Sequence, residues 1–149
     1  MNPFILNITT IQTATSIYSY VRSCLESNVP QVKEDIQSLD VERRVRLIET
    51  LLRDLYESPL RKNGSMMIAI ENLEDSLRDI NRDMSLIEKK VRDYKSSWIS
   101  LGSFSVEKEV KAMKRHLNIL TERFQLFTNI SSILASHKVD DMEESMYIS

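Results

Sequence analysis

One stretch constrains this chain more than any other. Between Met66 and Trp98, apolar residues fall at Met66, Ile70, Leu73, Leu77, Ile80, Met84, Ile87, Val91, Tyr94 and Trp98, in alternating steps of four and three. Mostly charged residues fill the gaps. That period is a helix with one continuous apolar seam, starting near Ser65 and fraying between Ser96 and Trp98. Roughly thirty residues at 1.5 Å each make a seam of about 45 Å, and it must be covered. The spacing also commits its inner face to packing: the reading here is of apolar residues only on that face.

A matching seam follows. From Ser105, a good N-cap with Glu107 and Glu109 in the turn behind it, apolar residues recur at Val106, Val110, Met113, Leu117, Leu120, Phe124 and Phe127. Ile130 and Leu134 continue it after a one-residue slip. Two matched seams joined by a short connection, Ile99 to Phe104, predict an antiparallel hairpin crossing at about +20°.

The first half supplies the cover. A first helix runs from about Asn7 to the turn at Ser27, Asn28 and Pro30, with Ile8, Ile11, Tyr18, Val21 and Leu25 on one face and Ala14 between them. A second runs from about Pro30 to Glu57. It carries two apolar frames offset by two residues: Val32, Ile36 and Leu39, then Val41, Val45, Ile48, Leu52 and Leu55. Either the helix is irregular near Ser38 and Asp40 or it breaks there with Asp40 as cap; one long irregular helix is the preferred reading. Ser58, Pro59 and Asn63-Gly64 end it. With only two glycines and three prolines in 149 residues, the chain is expected to be all-α. The predicted architecture is an up-down-up-down antiparallel four-helix bundle over residues 1–136, followed by a flexible acidic tail, 137–149, without sustained period.

Charge says where partners are not. The net charge of −2 gives no general pull toward nucleic acid, and no helix combines dense cations with base-reading side chains. The acidic excess lies in the tail, where Asp140, Asp141, Glu143 and Glu144 face Lys138 alone. No charged residue precedes Arg22. That charge-free start reads as a helix buried in the bundle; the sharper alternative is a segment that leaves the bundle and enters a bilayer.

The search for chemistry comes back nearly empty. Cys24, His116 and His137 sit on separate elements, which is no zinc set. No Glu-x-x-His pair, glycine-rich phosphate loop or nucleophile motif occurs. The expectation is a protein that is not an enzyme, with no metal, no cofactor and no small-molecule substrate. His116 reads as a surface or boundary histidine and Cys24 as a small half-buried residue. A lone cysteine suits a reducing compartment, no signal peptide is expected, and the sequons at Asn7, Asn63 and Asn129 read as chance. The expected location is cytoplasmic, with a peripheral membrane position as its extension.

Two surfaces remain as candidates. Trp98, with Ile99, Leu101 and Phe104, is a hydrophobic plug on the bundle end or a docking tip. Lys108, Lys111, Lys114 and Arg115 form a basic cluster, of which Lys111, Lys114 and Arg115 have no acid between Glu109 and Glu122, and Lys89, Lys90 and Arg92 stand across the hairpin. They read as a solvated face or as a patch for anionic lipid or a protein partner.

The run Leu73-x-x-x-Leu77 … Tyr94-Lys95-Ser96-Ser97-Trp98 … Val110 … Leu117-x-x-Leu120-x-x-x-Phe124-x-x-Phe127-Thr128 resembles the N-terminal helical domain of the mixed-lineage-kinase-domain-like family and its fungal relatives, over roughly residues 60–135. The resemblance lies in helix lengths, the Ser-Ser-Trp junction and the late Phe. It implies a four-helix bundle that oligomerises, binds anionic lipid and permeabilises membranes in cell death. No kinase-like domain follows here; an acidic tail stands in its place. An excised domain, a stand-alone relative and a decoy inhibitor all stay open, as does an adaptor or regulatory bundle that binds another protein.

Overall fold

The computed structural model describes residues 3–96 and 104–148. Among them the chain is helix and turn without strand: α1 (Pro3–Glu26), α2 (Pro30–Leu39), α3 (Val41–Tyr56), a 3-10 turn (Pro59–Lys62), α4 (Gly64–Ser96) and α5 (Glu107–Ile148). Ser97, Trp98, Ile99 and Leu101 lie outside the described residues, while Ser96, the first residue of the Ser-Ser-Trp junction, ends α4.

The α4 seam is the centre of the core. Met66, Ile70, Leu73, Leu77, Ile80, Met84, Ile87 and Val91 are all buried, and on α5 so are Val110, Met113, Leu117, Leu120 and Phe127, with Val106 just ahead of its first turn. α4 packs against both α5 and α1, and α1 packs against α2 and α3. The cross-helix pairs have a clear order. Between α4 and α5, Lys90 meets Glu109, Asp83 meets His116, and Ser76 and the Asn72 carbonyl meet Arg123. Between α1 and α4, Thr10 meets Glu74. Between α1 and α3, Tyr18 meets Glu49. Between α3 and α5, Arg44, Leu47 and Ile48 line one small recess with Leu120, Thr121 and Phe124.

The two offset frames of the second segment resolve as two helices, not one irregular one. Asp40 takes φ 50° and ψ 43°, the left-handed region. A straight helix would turn Val41 about 200° away from Leu39; the left-handed residue resets the phase, so both are buried. Aspartate tolerates that conformation better than most residues. Its side chain makes no capping bond; its carbonyl takes the Arg44 amide at 3.3 Å, and its carboxylate faces Arg43 at 3.6 Å. Asn63 caps α4 instead, its Oδ1 accepting the Met66 amide at 3.1 Å. At α5, Ser105 Oγ accepts the Glu107 amide at 3.3 Å.

Three further expectations are corrected. α1 begins at Pro3, and its buried stripe is Thr10, Ala14, Ile17, Val21 and Cys24, while Ile8 is exposed. α1 has neighbours on two sides, and small residues let both approach. The inner face of α4 is not purely apolar: Glu74, Ser76 and Asp83 are buried on it. Finally, the segment from 137 is no unpatterned tail; α5 continues as helix through Ile148. With Ser76 level with Arg123, the start of α4 falls near residue 135, so about thirteen residues of α5, roughly 20 Å, run on beyond it.

Candidate interaction surfaces

The α5 cations are brought together. Lys108, Lys111 and Arg115 line one open cleft with Ser105, Glu107 and Ala112. Lys111 and Lys114 line a second, of ≈ 380 Å³, whose far wall is Gln31 and Asp35 of α2 and whose floor includes Phe104, Val106 and Val110. Lys111 reaches Glu107 at 3.3 Å, with both side chains about three-quarters exposed, a geometry worth little in water. Lys108, Lys114 and Arg115 are exposed and form no ion pair among the described residues.

The α4 cations divide. Lys90 Nζ lies 2.5 Å from Glu109, whose side chain is nearly buried. Burial works against that carboxylate's charge, but the Lys90 hydrogen bond, its backbone bond and the fields of Lys90 and Lys108 hold it below the usual carboxylate range. Lys90 is thus a structural tie between α4 and α5. Arg92 pairs with Glu88 at 3.4 Å and faces another cleft, with Ser23, Ser27, Val91, Lys95 and Ser96; it does not join the α5 group. Lys89 is exposed. Trp98 lies outside the described residues, but its expected neighbour Phe104 is half-buried against the core and meets Tyr94 in a tilted ring contact at a centroid distance of 4.8 Å.

Sequence reasoning missed the buried polar ties. His116 Nδ1 sits 2.5 Å from Asp83 Oδ2, with the aspartate side chain only 6% exposed. Burial raises the Asp83 carboxyl above its ordinary range, against the opposing pull of the His116 hydrogen bond and charge. Thr10 Oγ1 donates to Glu74 Oε2 at 3.1 Å. The Tyr56 hydroxyl lies beside that carboxylate without closing a hydrogen bond of normal geometry. Burial raises Glu74 as well, with Tyr56, Thr10 and Arg78 pulling the other way. Tyr18 donates to Glu49 at 2.5 Å under the guanidinium of Arg46, 5.0 Å from the ring. The signal was present: Glu74, Ser76 and Asp83 each adjoin a seam residue. A helix packed on two sides buries a wider arc than its seam, which takes in such flanking positions.

Among the described residues no three His, Cys, Asp or Glu side chains come together as a metal set. The recess between α3 and α5 holds ≈ 100 Å³, against ≈ 380 Å³ for the cleft beside Lys111 and Lys114. Among the described residues no helix is long and apolar enough to cross a membrane. No family model, no curated protein and no solved structure matches the chain.

Proposed function

We propose that this chain is a non-enzymatic, up-down-up-down antiparallel four-helix bundle, with α2 and α3 acting as one arm, that self-associates and engages anionic membrane surfaces through the outer face of α5. The bundle reading is supported by the order of the cross-helix pairs: residue numbers fall along α4 as they rise along α5, and fall along α3 as they rise along α1. One observation carries the surface: Lys108, Lys114 and Arg115 stand exposed and form no ion pair among the described residues, beside a Lys111 paired only with an exposed glutamate. Such a row suits a plane of phosphate headgroups, where each cation contributes about 1 kcal/mol. The location that follows is cytoplasmic and peripheral, with no cofactor, nucleic acid or small-molecule substrate. A permeabilising, cell-death role is carried by the family resemblance alone.

Co-sedimentation with phosphatidylserine vesicles tests it. The full chain pellets with anionic vesicles at low salt, is released as salt rises, and ignores neutral vesicles. Replacing Lys108, Lys111, Lys114 and Arg115 by Ala weakens binding by roughly 100-fold or more, from four contacts of about 1 kcal/mol each. Absence of binding at low salt overturns the lipid reading. The second reading, an adaptor or decoy that binds another protein, is favoured by Leu126 and Ile133, which are 51% and 56% exposed on the same helix.

A further inference from the structure

We infer that the outer face of α5 pairs antiparallel with the same face of a second copy of the chain, the acidic end of each helix lying on the basic end of the other. This deepens the proposed function by naming the self-association surface, and it rests on that reading.

The face is read from spacing and exposure together. Ala112, Ile119, Leu126, Ile133 and Asp140 recur every seven residues, the period of a helix-pairing stripe. The stripe points away from the bundle: α4 touches α5 through Glu109, His116 and Arg123, and α3 touches it through Leu120, Thr121 and Phe124. Leu126 and Ile133 are exposed at its middle. Lys108, Lys111 and Arg115 flank its start; Asp140, Asp141 and Glu144, all exposed, flank its end.

A helix that is basic at one end, apolar in the middle and acidic at the other is complementary to itself when reversed. With Leu126 of both copies on a two-fold axis, Ile133 falls level with the second copy's Ile119. Glu144 falls level with its Lys108, and Asp140 lies within one turn of its Arg115 on the same edge. Every contact occurs twice, as a closed dimer requires. Parallel pairing would stack like charges instead, which disfavours it. The continuation of α5 to Ile148 makes this possible, because it holds the acids on the same rigid axis as the cations. The second copy's acids and anionic lipid compete for Lys108 and Arg115, so dimer and vesicle binding oppose each other.

Sedimentation velocity on the full chain decides it. The wild type is dimeric at low salt and dissociates as salt rises. Asp140→Lys with Glu144→Lys, and separately Lys108→Glu with Arg115→Glu, each raise the dissociation constant about tenfold or more. Circular dichroism stays unchanged, since all four side chains are exposed. Mixed one to one, the two variants recover a dimer, because each now complements the other. A wild type monomeric at low salt overturns the inference, as does dimerisation indifferent to either reversal or a mixture that stays monomeric. Vesicle binding by the same wild-type sample is scored separately: retained binding with no dimer sinks the α5 pairing and leaves the lipid surface standing.

Discussion

Buried charge is the most distinctive feature at the level of single residues. Glu74 and Asp83 are both raised above the usual carboxylate range, in each case first by burial. A group whose folded pKa exceeds its unfolded one supports folding when protonated and withdraws that support as pH climbs through the folded value. Glu74 therefore costs stability at neutral pH and less of it in mild acid. Glu74→Gln keeps an acceptor for Thr10 and removes the buried charge, so its melting temperature exceeds wild type at pH 7.5 and the gap closes toward pH 4.5. Scanning calorimetry across that range checks both the sign and the closure. His116→Ala works the other way: it strips the partner from a buried acceptor and costs roughly 1–3 kcal/mol at neutral pH, read as a lower urea midpoint. Cys24 takes no part in such balances; burial, with a smaller push from Glu88, moves its thiol up to about 11.

Among the elements, Asp40 is the joint. It is the one described non-glycine residue at positive φ, and it lets two apolar frames share one core. Asp40→Gly relieves the backbone and sacrifices only an exposed ion pair, so it is neutral or stabilising by up to about 1 kcal/mol. Asp40→Val cannot hold the left-handed turn without strain and costs about 1–2 kcal/mol or more. Chemical denaturation of the pair separates a phase-resetting joint from an ordinary loop. Position on the helix matters as much as residue type. Leu73 is fully buried on α4 and Leu126 half exposed on α5. Leu73→Ala therefore costs about 2–5 kcal/mol, while Leu126→Ala changes monomer stability by less than about 0.5 kcal/mol. Equilibrium unfolding at dilute, monomeric concentration makes that comparison.

For the whole molecule, α5 does two jobs along one axis. Its first two-thirds close the core; its last third runs on past the start of α4, and the described side chains from Ala135 to Tyr147 are exposed there. A chain ending at Ser136 therefore keeps its unfolding free energy within about 0.5 kcal/mol of wild type, loses dimerisation and gains affinity for anionic vesicles. Measuring the three quantities on one sample tests whether the acidic end restrains the basic one. Lys90 and Arg92 make the complementary point. Both read as candidate cations in the chain, yet Lys90 ties α4 to Glu109 and Arg92 is held by Glu88 on another side. The Arg92–Glu88 pair is legible from its four-residue spacing, whereas the Lys90–Glu109 pair crosses a helix interface that the positions of the cations do not show.

By itself the sequence determined the all-α class, the α4 seam and its partner on α5, because a period of 3.6 residues records which face of a helix is apolar without reference to any other helix. It also carried, unread, the seven-residue stripe from Ala112 to Asp140. Only the tertiary structure decided where Asp40 resets the helix phase, which stripe of α1 is buried, and which carboxylates go inside. Each of those depends on how many neighbours a helix has and at what angle they arrive, and local periodicity holds no information about either. The course of α5 beyond residue 137 belongs to the same group. An exposed segment shows no apolar period toward its own core, so its helicity is visible only as the continuation of a helix already anchored by the seam.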